Sequence, residues 1–227
     1  MDWRYNTIWF DQIEQSRIAS VDLRTETLPQ LEKKEYLTLR GYRQKNGLLD
    51  EFPGSNDLLY LELSFSALRA FNGIGRLPAI KRLELVHCYK LESDAGLEEI
   101  SGSLRHLHIL NSKRFHPGLG LRSLRNIEVL RLNACGEIEN LDFLFEFPRL
   151  IDFRFVDTHV RSGDLSPLLA HKSLRSVGFM DKRHYNMKSE EVDQALEAKS
   201  NLPFQEFVSK GPWKTFRFVH TDEIAST

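Results

Sequence analysis

Two histidines and a carboxylate are the residues of this chain best placed for chemistry. His106 and His108 stand two apart in Leu104-Arg-His-Leu-His-Ile-Leu110. On an extended strand, residues i and i+2 point the same way, so both imidazoles share one face. Glu84, in Leu83-Glu-Leu85, holds the matching place one unit earlier. Two imidazoles and a carboxylate form a zinc-type donor set, which gives one reading: a metal-binding enzyme using His106 and His108. Arg131 holds the matching place one unit later, and a cation beside His108 disfavours a metal. Partner contact or plain solvation explains the pair without an ion. If the pair meets acidic groups of a partner, binding weakens as pH rises through the imidazole range. No metal and no cofactor is expected. The sequence has no phosphate-cradling Gly-rich loop, no G-x-S-x-G and no H-E-x-x-H, so the chain reads as non-catalytic.

Cys88 and Cys135 are the only cysteines. Both occupy the same place in a repeating pattern, two units apart. With strands stacked about 4.8 Å apart, their separation should be roughly 9 to 10 Å, beyond the ~7 Å Cα limit for a disulfide. Buried thiols donating to backbone carbonyls of a neighbouring coil are expected instead.

That pattern is clearest in Ile127-Glu-Val-Leu130-Arg-Leu132-Asn-Ala-Cys135, followed by Ile138, Leu141 and Leu144 at three-residue spacing. The first part alternates like a half-buried strand, and the second suits a 3₁₀ or helical return. Its three-point anchor recurs as Ile18/Val21/Leu23, Lys34/Leu37/Leu39, Leu58/Leu61/Leu63, Ile80/Leu83/Leu85, Leu104/Leu107/Ile109, Leu150/Phe153/Phe155 and Leu174/Val177/Phe179. From Leu37 to Val177 the middle anchors are 22 to 24 residues apart, and the first step, Val21 to Leu37, is 16. One such coil cannot bury its own apolar face and must stack on copies of itself.

The form L-x-x-L-x-L-x-x-C resembles the leucine-rich repeat family over about residues 18 to 182. The unit from Leu83 through Cys88 to Ile100 is similar to the cysteine-containing subclass, whereas other units carry Ser66, Ser112 or Thr158 at the cysteine position. The resemblance implies an α/β, right-handed solenoid with one curved parallel sheet of about eight strands, roughly 34 Å long at normal strand spacing. Residues 1–17, rich in aromatics (Trp3, Tyr5, Trp9, Phe10), are expected to cap the N-terminal end. Residues 183–227 are expected to cap the other end with a helix from Ser189, as N-cap, to Lys199 and a hairpin around Ser209–Pro212. The chain is read as one structural domain.

The formal charge of −1 offers no basic excess for nucleic acid. No apolar run is long enough for a bilayer and the N-terminus carries no secretion signal, so a cytoplasmic protein is expected. The residues between the anchors should line the concave face. In order along the solenoid, the partner-binding candidates are Tyr36, Arg40, Tyr60, Glu62, Arg82, Glu84, His106, His108, Arg131, Asp152 and Arg154. Their mix of aromatics, arginines and carboxylates suits a protein partner. A small repeat protein of this kind is similar to bacterial immunity proteins, and that likeness implies a toxin domain as partner. The alternative is a repeat adaptor or signalling regulator.

Overall fold

The chain is described from a computed structural model that covers residues 3, 8 and 10–199, with the backbone of two further strands at 204–210 and 213–218. Eight strands form one sheet in sequence order: β1 (Ile18–Asp22), β2 (Tyr36–Arg40), β3 (Tyr60–Ser64), β4 (Arg82–Val86), β5 (His106–Leu110), β6 (Val129–Asn133), β7 (Asp152–Arg154) and β8 (Ser176–Gly178). All pairings between them are parallel. The apolar period sets the register. Leu37, Leu61, Leu83, Leu107, Leu130, Phe153 and Val177 are successive partners, and all are buried in one continuous core. A second file runs through Leu39, Leu63, Leu85, Ile109 and Leu132.

The first strand departs from the expected alignment. Its partners are Ala19↔Leu37 and Val21↔Leu39, so Val21 takes the third anchor place and not the middle one. A shift of two residues leaves every side chain on its expected face, so alternation alone cannot choose between the two registers. Leu23 lies past the strand, where its N–H donates to the Arg40 carbonyl at 2.9 Å. Ile18 stands opposite Tyr36, and Arg24 falls outside the sheet. The outer edge of β1 is blunted locally. Lys34 Nζ donates to the carbonyls of Ser16 (2.6 Å) and Ile18 (3.2 Å), and Glu26 accepts from the Asp22 N–H (3.2 Å). Charged side chains on edge groups discourage pairing with another strand.

From β2 to β7 each coil turns out of the sheet through a left-handed residue at or shortly past the strand end: Gly41 (φ 77°), Phe65 (51°), His87 (56°), Asn111 (56°), Ala134 (50°) and Asp157 (56°). The N–H groups of Gly41, Phe65, His87, Asn111 and Ala134 donate to the next coil's carbonyl at 2.8 to 3.0 Å, extending the ladder one step past the strands. Below this bend sits the cysteine position. Cys88 Sγ donates to the Leu63 carbonyl (3.4 Å), Cys135 Sγ to Ile109 (3.5 Å), Ser66 Oγ to Tyr42 (3.1 Å) and Thr158 Oγ1 to Leu132 (2.6 Å). Both thiols are free and buried, and burial pushes them up to about 11 and about 12. Ser112 Oγ is the exception, buried with no partner among the described residues.

The returns are 3₁₀ turns at Ile74–Arg76, Leu97–Ile100 and Asp142–Glu146, and short helices α1 (Leu119–Arg122) and α2 (Ser166–Ala170). Two of these turns start from left-handed glycines, Gly73 and Gly96. A Cβ on Gly96 would lie 2.3 Å from the Phe71 carbonyl carbon, so the coils approach backbone to backbone there. Helix α3 (Ser189–Lys199) buries Val192 and Leu196 against the last coil. Its first turn is capped by neighbours: Asp181 accepts from the Ser189 N–H (2.8 Å) and Glu191 from the Lys188 N–H (2.7 Å). Ser189 is therefore not the capping group. Strands β9 (Phe204–Lys210) and β10 (Trp213–Phe218) form an antiparallel hairpin. The side-chain packing expected of Tyr5, Trp9, Phe207, Trp213, Phe216 and Phe218 lies outside the described residues. No helix among the described residues is long and apolar enough to cross a membrane.

Candidate binding surface on the far face of the sheet

The face turned away from the leucine core is the expected concave side. Its first row is Ile18, Tyr36, Tyr60, Arg82, His106, Val129, Asp152 and Ser176. From Tyr36 onward every member is buried. Part of the cover is the N-terminal segment. Ile8 is buried with Tyr36 and Tyr60, and Trp3, Phe10, Ile13 and Ile18 pack around them as a cluster separate from the main core. Trp3 stacks on Tyr36 (6.3 Å between centroids), and Phe10 meets Tyr36 and Tyr60 edge-on (6.2 and 5.8 Å). These aromatics were expected over the open end of the solenoid; those described lie on the sheet face instead. The sheet offered them a ready apolar surface in Tyr36 and Tyr60, while the β1 edge is already served by Lys34 and Glu26.

Farther along the row, His106 Nδ1 lies 2.8 Å from the Trp3 carbonyl oxygen. A carbonyl only accepts, so Nδ1 carries the proton and Nε2 is left as an acceptor. Nε2 finds no partner among the described residues. Burial, then the nearby Arg82 and Arg131, holds the His106 pKa well below the usual imidazole value.

The middle row is Ser20, Thr38, Glu62, Glu84, His108, Arg131, Arg154 and Gly178. It runs from acidic (Glu62, Glu84) through His108 to basic (Arg131, Arg154), and Asp22 stands outside it, opposite Arg40. The charges are matched in place. Glu84 pairs with Arg82 and lies 3.7 Å from His108. Burial alone would raise its pKa, but Arg82 and His108 hold it at about 2. Asp152 is buried between Arg131 (2.9 Å) and Arg154 (3.2 Å), and these two cations lower its pKa against the opposing effect of burial. Glu62 accepts from the Tyr60 hydroxyl (3.0 Å), and burial raises its pKa. His108 Nε2 lies 3.3 Å from Asn133 Nδ2.

The eleven candidate residues therefore split. Tyr36, Tyr60, Arg82, His106, Arg131 and Asp152 are buried, whereas Arg40, Glu62, Glu84, His108 and Arg154 keep part of their surface. His106 and His108 do not belong to an ion site of three or more His, Cys, Asp or Glu donors, since no such group among the described residues could hold a metal.

Among the described residues, four of the six large exposed apolar side chains lie past the strand ends, while Leu119 and Phe145 stand on the returns. Phe65 (38% exposed), Tyr89 (59%), Val156 (38%) and Met180 (55%) are open to solvent. Three rings form a stack: Phe65 on His87 (4.8 Å) and His87 beside Tyr89 (5.7 Å). Arg40 places its guanidinium 4.3 Å over the outer Phe65 ring. Phe65, His87 and Tyr89 are not among the candidates, because they lie past the strand ends, beyond the alternation that marks the sheet face. The signal was present, since an aromatic directly follows Ser64 where the chain must leave the sheet.

No protein-family model and no curated protein matches this chain. Solved structures with a similar backbone course include internalin C2 of Listeria monocytogenes, at 21% identity and a TM-score of 0.46 over 66% of this chain and 73% of that one. A second internalin of the same species shows 10% identity and a TM-score of 0.29 over 68% and 65%. The architecture stands on the chain's own regularities: a repeating anchor, strands in unbroken parallel register, and two buried apolar files. The chain folds as a leucine-rich repeat solenoid.

Proposed function

We propose that this chain is a non-catalytic protein-binding module, and that its partner sits on the far face of the sheet and its adjoining rim. The observation that carries the reading is the row of four exposed apolar groups beside the partly open charged residues, which the two on the returns, Leu119 and Phe145, lack. Phe65, Tyr89, Val156 and Met180 line the strand-end rim, beside the partly open Arg40, Glu62, Glu84, His108 and Arg154. Aromatic anchors beside arginines and paired carboxylates suit a protein surface better than a small molecule. The two buried free thiols suit a reducing, cytoplasmic setting.

The test is capture from the native host by the immobilised chain, run beside a Phe65→Asn/Arg154→Ala variant. A partner held by the parent and lost by the variant supports the surface; equal capture by both moves the site elsewhere. A narrower reading makes the partner a toxin domain that the chain neutralises, by likeness to small repeat immunity proteins. It requires that the captured protein be toxic when expressed alone and harmless when co-expressed with this chain. A captured protein without toxicity favours the adaptor or regulator reading.

A further inference from the structure

The rim past the strand ends carries charge as well as rings. Two successive coils leave the sheet through the same turn. Leu91 N–H donates to the Cys88 carbonyl and Phe115 N–H to the Ser112 carbonyl, both at 2.9 Å. Their strands pair in register, Val86 with Leu110, so the two turns stack about 4.8 Å apart at normal strand spacing. The two inner residues of each turn are exposed: Tyr89 and Lys90 on one, Lys113 and Arg114 on the other. Three cations thus share two adjacent corners with a ring that is 59% exposed. The ring is held in place, because the Tyr89 hydroxyl lies 3.0 Å from His87 Nδ1 and His87 stacks on Phe65. Elsewhere along the coils arginines are matched: Arg69 by Glu92 at 2.6 Å, and Arg161 by Glu137 and Glu139 at 2.5 Å. Lys90, Lys113 and Arg114 form no ion pair among the described residues. Like charges on neighbouring corners repel, and an anionic ligand relieves that repulsion.

We propose that these two corners receive an acidic segment of the protein partner, with an aromatic side chain of that segment laid on Tyr89. The inference rests on the binding reading above and names the partner's chemistry along one stretch of the rim. Two observations favour carboxylates over a phosphate backbone. The cationic stretch is only two coils long: the equivalent places are Ala67 and Leu68 in the coil before, and Gly136 and Glu137 in the coil after. The chain as a whole carries a formal charge of −1, whereas a nucleic acid is held by a longer basic track. The roles of the residues then divide. Lys90, Lys113 and Arg114 are solvated and steer the acidic segment toward the rim. Tyr89, already positioned by His87, anchors it with little loss of side-chain freedom.

The test uses the full chain and a short labelled peptide of aspartate and glutamate with interspersed phenylalanines. It is titrated into the parent chain and into a Lys90→Glu/Lys113→Glu/Arg114→Glu variant. All three side chains are exposed, so the variant should melt where the parent does and a loss of binding is not a loss of fold. The parent should bind the peptide at least about tenfold more tightly than the variant, and added salt should weaken the parent's binding. A second peptide with alanine in place of phenylalanine should bind the parent less tightly than the first, and Tyr89→Ala should remove that difference. Equal binding of the first peptide by parent and charge-reversed variant, or binding by neither, overturns the proposal. Tighter binding of the parent to oligothymidylate or to phosphatidylserine vesicles also overturns it and assigns the corners to nucleic acid or membrane. Partner capture separates this inference from the wider reading. A host protein lost by the Phe65→Asn/Arg154→Ala variant but retained by the charge-reversed one leaves the binding surface standing and overturns the acidic contact. A host that yields no partner counts against the wider reading alone, and the peptide titration decides the corners.

Discussion

Arg131 closes on Asp152 with two donors: its Nε and Nη2 lie 3.1 and 2.9 Å from the same carboxylate oxygen, Oδ2. Arg154 approaches that carboxylate from the next strand position but one, with Nε 3.2 Å from both oxygens. One buried anion thus holds two cations on the far face of the sheet. Removing a member of a buried charge group costs more than the group contributes in sum, because the remaining charges stay desolvated. Asp152→Ala should therefore lower stability by roughly 3 to 5 kcal/mol, read as a fall in the urea midpoint at unchanged slope. A change below about 1 kcal/mol would mean that the arginines find other counter-charges, as exposed pairs do.

The same cluster shows what a sequence can and cannot disclose. Alternation placed Arg131, Asp152 and Arg154 on the face away from the core, because a strand leaves no other choice. It could not show that Asp152 lies deep enough to be shared, since depth depends on what else lies on that face. The register from β2 to β8 was legible because each coil repeats one spacing between two leucine-like anchors. At β1 that spacing fails: Ala19/Val21 and Val21/Leu23 both alternate correctly, and the choice falls to the packing of Ile18 beside Tyr36 and of Lys34 on the Ser16 and Ile18 carbonyls. The N-terminal aromatics belong to no repeat, so periodicity gave them no address. A general expectation about solenoid ends placed them over the edge, and the sheet face won.

Glu84 gives the clearest pH signature. Its pKa is lowered from 4.5 to about 2 in the folded chain. A folded pKa below the unfolded one means stability that is fully present above about 4.5 and lost as pH falls toward about 2. The loss should reach about 3 kcal/mol. Urea midpoints measured across that range should fall steeply for the parent chain. Glu84→Gln should begin less stable at neutral pH and fall less steeply there, because Arg82 and His108 have already lost their carboxylate. Parallel curves for the two proteins would place the acid-sensitive group elsewhere.

Ser112 tests the cysteine position. Cys88, Cys135, Ser66 and Thr158 donate to a carbonyl of the preceding coil, but the Ser112 hydroxyl is buried with no partner among the described residues. An unpaired buried hydroxyl costs about 1 to 3 kcal/mol, while an apolar group of similar shape avoids the penalty. Ser112→Ala should be neutral or more stable by up to about 1 kcal/mol, whereas Thr158→Ala, which removes a 2.6 Å donor, should be clearly destabilised. A large loss in Ser112→Ala would show that the hydroxyl is satisfied in solution, for example by a buried water.

Phe65 separates what the fold needs from what a partner needs. Its φ of 51° places a bulky side chain in the left-handed region, at a cost of roughly 1 to 2 kcal/mol. Asn111 and Asp157 fill the equivalent position with residues that tolerate this conformation better. The ring recovers part of that cost through Arg40, 4.3 Å from its centroid, and the His87 stack at 4.8 Å; an exposed cation–π contact contributes about 0.5 to 1 kcal/mol. The two terms nearly cancel, so Phe65→Asn should change stability by no more than about 1 kcal/mol. Folding therefore gives little reason for an aromatic there, and binding gives one. If the rim is the contact surface, the same substitution should weaken the captured partner by more than about tenfold, as loss of an aromatic anchor does. Intact affinity with unchanged melting temperature would leave the ring without either role and would shift the contact surface toward Val156 and Met180.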